Sequence, residues 1–169
     1  MDERKKQLYW KIGCLAGVAV LIAADVMTKN LISQKLYYGE KIEVIAGFFN
    51  ITYHTNFGAA WGILQGALPF FIIVSIAMAA AMSGILVVSR NKWLDVALTW
   101  LLGGAIGNFI ERVRGEGVTD FLDFYIFGYD FPIFNVADIC ITTGTIILAC
   151  YMLFFQKEKD ISWKWLKKN

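Results

Sequence analysis

Ile12-Gly13-Cys14-Leu15-Ala16-Gly17-Val18-Ala19-Val20-Leu21-Ile22-Ala23-Ala24 holds no charged side chain. The apolar character resumes beyond Asp25 and Lys29 and ends near residue 33. A helix needs roughly 20 such residues to cross a hydrocarbon layer about 30 Å thick, so this run reads as a membrane span. Arg4, Lys5 and Lys6 before it suggest a cleavable leader. The run is too long for the apolar part of a leader, and no small-residue cleavage site opens into a soluble domain. An uncleaved first helix is expected. Three further runs have the same character, at about 69–88, 93–112 and 134–155. The second opens at Pro69, a residue tolerated in a first helical turn.

The expected fold is therefore a membrane all-α protein with a small β element. Residues 1–169 form a single integral membrane domain, with four transmembrane helices and a small outward-facing β-sheet on the membrane surface. Composition agrees: 57% of the 169 residues are hydrophobic and 18% charged, against about 25% charged in a soluble domain. The net charge is only +2, and the basic residues sit mostly at the termini. No basic stripe offers itself to nucleic acid. Cys14, Cys140 and Cys150 each lie in an apolar stretch and read as packing residues, not as metal ligands or a disulfide framework.

Lys and Arg near the helix ends set orientation. Arg4, Lys5, Lys6 and Lys11 precede the first span, Arg90 and Lys92 lie between the second and third, and Lys157, Lys159, Lys164, Lys167 and Lys168 follow the fourth. All three segments fall on one side of a four-span topology, so both termini are expected to be cytoplasmic. Trp163-Lys164-Trp165 reads as an interfacial anchor. On the outward side, segment 34–68 is too polar to span. Lys41-Ile42-Glu43-Val44 and Phe49-Asn50-Ile51-Thr52-Tyr53-His54 alternate with period 2, as half-buried strands do, and Gly47 between them suits a turn. Segment 113–133 carries Glu116, Asp120, Asp123 and Asp130.

Ionisable residues within spans are costly and mark function by default. At 1.5 Å per residue, Asp25 lies roughly 20 Å along the first helix, with Lys29 one turn further out. Asn108 lies roughly 22 Å along the third helix, with Arg112 near its outer boundary. Asp138 lies about 6 Å inside the fourth, just below Asn135. Three helices thus bring Asp25, Asn108 and Asp138 to similar depth under the outer headgroups, while Asp95 stays at the opposite end. The plainer reading is that Asp25 and Lys29, spaced i,i+4, neutralise each other, and that Asn108 and Arg112 tie helices together. Asp138 has no cation near it in sequence. Asp120, Asp123 and Asp130 could each partner it. Asp130 follows Gly128-Tyr129 in a turn, and the residues alone do not separate Asp120 from Asp123.

Thr119-Asp120-Phe121 followed by Asn135-Val136-Ala137-Asp138 resembles the two catalytic motifs of the lipoprotein signal peptidases (signal peptidase II). Asp25-Val26-Met27-Thr28-Lys29 is similar to that family's Asp-Gln-x-Thr-Lys motif. Asn56-Phe57-Gly58-Ala59-Ala60-Trp61 is similar to its Asn-x-Gly-Ala-Ala-aromatic motif. Gly103-Gly104-Ala105-Ile106-Gly107-Asn108-Phe109-Ile110-Glu111-Arg112 is similar to the motif ending Gly-Asn-x-x-Asp-Arg. The five motifs stand in order over about residues 20–150. Three positions depart: Val26 for Gln, Glu111 for Asp, and Ile139 where a small hydroxyl residue is common.

The resemblance implies a bacterial aspartyl endopeptidase of the cytoplasmic (inner) membrane. It would remove the signal peptide from diacylglyceryl prolipoproteins, on the N-terminal side of the lipidated cysteine. It assigns Asp120 and Asp138 as the catalytic pair, Asn56, Asn108, Arg112 and Asn135 to the substrate site, and Asp25 and Lys29 to its support. No metal or organic cofactor, no nucleic acid and no partner beyond substrate and membrane lipid is expected, and the chain is expected to be a monomer. The chemistry suits the residues. Two close carboxyls share a proton; the ionised one takes a proton from water while the neutral one donates to the scissile carbonyl. His54 reads as a strand residue, Ser75, Ser83 and Ser89 lack a base, and Cys140 has no His partner. The alternative is a small transporter using the acids as a proton or cation relay. Neither inverted repeats nor broken midplane helices support it. A presenilin-type protease would need Gly-x-Gly-Asp, which is absent. The small residues Gly58, Ala59, Ala60 and Gly62 could admit a substrate backbone.

Overall fold

Helix α1 (Glu3–Lys35) begins well before the apolar run that announced it. Asp2 caps it by accepting from the Arg4 amide at 3.3 Å, and polar helix formers carry it to Ile12. The computed structural model describes residues 2–58 and 64–156. Ala59, Ala60 and Trp61 of the Asn-x-Gly-Ala-Ala-aromatic motif, Gly62, the tail Trp163-Lys164-Trp165 and the tail residues Lys157, Lys159, Lys167 and Lys168 lie outside the described residues. Strands β1 (Lys41–Ile45) and β2 (Phe49–Asn56) follow α1, then helices α2 (Leu68–Val88) and α3 (Lys92–Arg114). Strands β3 (Val118–Ile126) and β4 (Tyr129–Asp130) lead to helix α4 (Val136–Cys150), which continues as a π-helical turn over Tyr151–Phe155. Among the described residues, four helical segments are long and apolar enough to cross a membrane: Glu3–Lys35, Leu68–Val88, Lys92–Arg114 and Val136–Phe155.

α3 is the axis of the bundle. Leu94, Leu98 and Leu102 on one of its faces pack with Cys14 and Val18 of α1, Met82 and Leu86 of α2, and Tyr151 beyond α4. The outer faces are apolar too: Val20, Ile73, Val87 and Leu153 are each more than 60% exposed. Such surface is unfavourable in water and fits a hydrocarbon surround. Where every face is apolar, close backbone approach replaces the hydrophobic effect as the source of helix association. Glycines supply it here. A Cβ on Gly104 would strike the Ala137 carbonyl of α4, and one on Gly144 would lie 2.8 Å from the Leu101 amide of α3.

The strands form one antiparallel sheet in the order β1-β2-β3-β4. Gly47, at φ 66°, makes the β1–β2 turn that its left-handed backbone requires. β1 departs from expectation. Its alternation predicted a half-buried strand, yet all five residues are exposed, because it is the edge strand of the sheet. β3 was not foreseen as a strand. It is the most buried of the four, with Val118 through Phe121 and Asp123 all buried.

Candidate active site

α4 begins where the sheet ends, and that junction builds the site. Phe134 exchanges backbone hydrogen bonds with Leu122 of β3, at 2.8 and 3.1 Å. This fixes the next residue, Asn135, against Asp120, and the Asn135 side-chain Nδ2 donates to Asp120 Oδ1 at 2.6 Å. Asn135 is also the N-cap of α4. Its Oδ1 accepts from the Asp138 amide at 3.0 Å, and Asp138 Oδ2 accepts from the Asn135 amide at 3.2 Å, a reciprocal capping box. Asp25 of α1 completes the cap by accepting from the Ala137 amide at 2.8 Å. Three side chains thus satisfy the amides that a helix start leaves open, and in doing so hold Asp138 in place.

Asn108 of α3 joins the parts. It donates to Asp138 Oδ1 at 2.9 Å and accepts from Asn135 at 3.2 Å and from Lys29 Nζ at 2.8 Å. Lys29 also pairs with Asp25 at 2.8 Å and with Glu111 at 3.0 Å. Gly107 leaves room for this: a Cβ there would lie 2.6 Å from Asp25 Oδ2. Beyond Asp120, Asn56 at the end of β2 donates to Asp120 Oδ2 at 3.2 Å and accepts from the Gly58 amide at 2.9 Å. The Arg112 guanidinium donates to the Gly58 carbonyl at 3.4 Å and lies 5.0 Å from the Phe71 ring centre.

Asp120, Asp138, Asn56, Asn108 and Arg112 line one cavity of about 490 Å³, whose apolar wall includes Phe131 and Ile139. Asn135, Asp25 and Lys29 do not line it; Asn135 and Lys29 each donate to Asn108, which does. Asp120 is 4% exposed. Burial, followed by the negative charge of Asp138, raises its pKa from 3.8 to about 7, against the opposing pull of the Asn56 and Asn135 hydrogen bonds. Two carboxyls from separate elements, one of them inclined to keep its proton near neutrality, can share acid and base roles.

A sequence profile described as Signal peptidase (SPase) II matches residues 17–154. The lipoprotein signal peptidase of Staphylococcus haemolyticus (strain JCSC1435) is 42% identical over 158 residues, covering 92% of this chain and 99% of its own. That of Staphylococcus aureus (strain bovine RF122 / ET3-1) is 43% identical over 155 residues, covering 86% and 95%. A bacterial membrane enzyme solved by the in meso method at 2.3 Å resolution superposes with a TM-score of 0.79 at 39% identity, covering 89% of this chain and 94% of its own. A second such structure, at 1.9 Å resolution, gives 0.77 at 40% identity, covering 85% and 94%.

The chain belongs to the signal peptidase II family.

Within a signal peptidase II, a protease of multi-pass bacterial membrane architecture, the three departures acquire positions. Glu111 accepts from the Thr119 amide at 3.1 Å as well as pairing with Lys29, so its longer side chain links α3 to the strand that carries Asp120. Ile139 adds to the cavity wall, and Val26 is half-buried on α1. In the sequence Glu111 stands out only as a departure from the motif, and its link to β3 has no local signal. Asp123 does not reach the cavity. It is fully buried and takes hydrogen bonds from Lys41 Nζ at 2.8 Å and Asn50 at 3.3 Å. The hydrogen bond to Asp123, then that to Tyr125, holds the Lys41 pKa above its ordinary value. Asp130 is exposed in the β3–β4 hairpin. His54, also exposed, lies against Tyr38. Asp95 sits at the far end of α3 with Lys11.

Proposed function

We propose that this chain is an intramembrane aspartyl endopeptidase that removes the signal peptide from diacylglyceryl-modified prolipoproteins, cutting on the N-terminal side of the lipidated cysteine. The observation that carries the reading is that the Asp120 and Asp138 carboxyls, both hydrogen-bonded to Asn135, line one cavity. Asp120 keeps the shared proton and gives it to the scissile carbonyl oxygen. Asp138 takes a proton from the attacking water. The tetrahedral intermediate then collapses: Asp138 gives its proton to the departing amine, Asp120 takes one back from the hydroxyl as the carbonyl re-forms, and no covalent enzyme intermediate forms. Asn108 and Asn135 orient the two carboxyls. Asn56 and Arg112 hold the peptide, with Arg112 steadied on Phe71. Asp25 and Lys29 support the start of α4.

The whole chain acts as one integral membrane domain and as a monomer. Both termini are cytoplasmic, from the Lys and Arg asymmetry, and the site lies near the outer leaflet of the bacterial inner membrane. That depth explains a requirement for lipidation. A bare peptide must desolvate its backbone to reach the pair, at a cost of several kcal/mol per unsatisfied group. Acyl chains anchor by about 0.8 kcal/mol per buried CH₂ and hold the scissile bond at the right height. The test is a gel-shift assay on a purified prolipoprotein with and without its diacylglyceryl group. The unlipidated form should be cleaved at least about 100-fold more slowly, equivalent to about 2.7 kcal/mol of barrier. Equal kcat/KM for the two forms would contradict lipid positioning, and no cleavage of either would contradict the activity.

A further inference from the structure

A second cavity, of about 670 Å³, opens at the other end of the bundle, between the start of α1, the α2–α3 turn and the start of α3. Gln7 of α1 fixes its width by donating to the Ser89 carbonyl at 3.3 Å. The charges around it do not cancel. Its buried carboxylate, Asp95, already accepts from Lys11 Nζ at 2.6 Å and Trp10 Nε1 at 2.8 Å. Its other carboxylate, Glu3, holds Lys6 at 2.6 Å. Arg4, Arg90 and Lys92 are left without a carboxylate among the described residues. Lys92 is held 5.0 Å from the Trp10 ring centre, which fixes one cation against an aromatic wall.

Three cations without a carboxylate partner among the described residues, around a pocket between helix ends, make a site for a phosphate-bearing anion. The surface beside the pocket distinguishes a lipid from a soluble ion. Leu8 and Ile12 of α1 and Val87 of α2 are exposed apolar residues next to it in sequence. They offer a path for acyl chains that free phosphate would not use. We propose that this cavity binds the phosphodiester headgroup of an anionic phospholipid from the leaflet opposite the candidate active site. That leaflet is the cytoplasmic one under the orientation given above, but the binding itself does not depend on the peptidase reading. Its role is to tie α1 to the α2–α3 turn at the end of the bundle that the sheet does not reach.

The test uses the full chain, purified in detergent and delipidated. Phosphatidylglycerol and phosphatidylcholine with the same acyl chains are added back, and retained lipid is counted by native mass spectrometry. The wild type should hold phosphatidylglycerol at least about tenfold more tightly. A surface cation contributes on the order of fivefold, so Arg90→Gln/Lys92→Gln should weaken that binding by at least about tenfold. Glu3→Gln, which frees Lys6, should strengthen it. Equal retention of the two lipids by the wild type overturns the proposal. So does an unchanged preference in the double variant, or weaker binding in Glu3→Gln. Displacement by inorganic phosphate at constant ionic strength overturns the lipid assignment in favour of a small-anion site.

Discussion

Asp120 and Asp123 stand three residues apart on β3, and that spacing means different things in different elements. On a helix they would share a face; on a strand they point to opposite faces. The residues alone left the pair unresolved because segment 113–133 gave no clear period. Once β3 is a strand, Asp120 faces the cavity and Asp123 faces Lys41 and Asn50. Asp123→Asn should therefore keep most of the activity while losing about 1–3 kcal/mol of stability, as expected for weakening a buried charged hydrogen bond. A thermal melt alongside the cleavage assay checks both halves. An inactive but fully stable Asp123→Asn would contradict the assignment. Asp120 also carries a pH prediction. Its folded pKa, about 7, is raised above 3.8, so the protonated form is favoured by folding, and the stability this brings fades as pH rises through about 7. If Asp120 is the proton donor, kcat/KM should fall over the same range. Asn56→Ala removes a bond that favours the charged form, so the falling limb should move to higher pH. A pH profile of wild type and variant measures this, and an unmoved limb would argue against Asp120 as the donor.

Helix and strand differed in how plainly the sequence declared them. The four apolar helices follow from run length alone, because a membrane span is a local property. β1 and β2 were visible as alternation around Gly47, though the exposure of β1 was not, since an edge is defined by what lies beside it. β3 escaped because a strand buried on both faces loses its alternation, and because its partner β2 lies some 60 residues earlier in the chain, with Asn56 opposite Val118. The helix contacts obey a different logic. Gly104 and Gly144 let α3 and α4 meet backbone to backbone, and this contact sets where Asn108 meets Asp138. Gly104→Ala and Gly144→Ala should each cost about 1–3 kcal/mol by overpacking. Thermal unfolding in detergent reads the loss, and melting at the wild-type temperature in both would show that the contact is looser than described.

At the scale of the molecule, the two ends of the bundle are chemically unlike. One collects Asp25, Lys29, Asn108, Asp120, Asn135 and Asp138 beneath a sheet, and the other collects Arg4, Arg90 and Lys92 around a second cavity. The depth argument from sequence brought Asp25, Asn108 and Asp138 together correctly. It could not show that Asp25 caps α4 or that Lys29 reaches Glu111, because those contacts exist only once three helices are packed. Asn56 and Asp120 lie outside the spans, so helix depth said nothing of them; only its motif drew attention to Asn56, and only the motif separated Asp120 from Asp123. The proposed orientation is open to direct test. A cysteine placed near the C-terminus should resist an impermeant thiol reagent added to intact cells, and ready labelling would reverse the topology.

The central claim is that Asp120 and Asp138 perform the cleavage together. Its most direct measurement is single-turnover cleavage of a diacylglyceryl prolipoprotein by purified Asp120→Asn and Asp138→Asn, each first shown to melt near the wild-type temperature. An amide in either place can neither take nor give the shared proton, so both variants should be inactive within detection although folded. Wild-type turnover by either folded variant would contradict the paired mechanism and place the catalytic acid or base elsewhere.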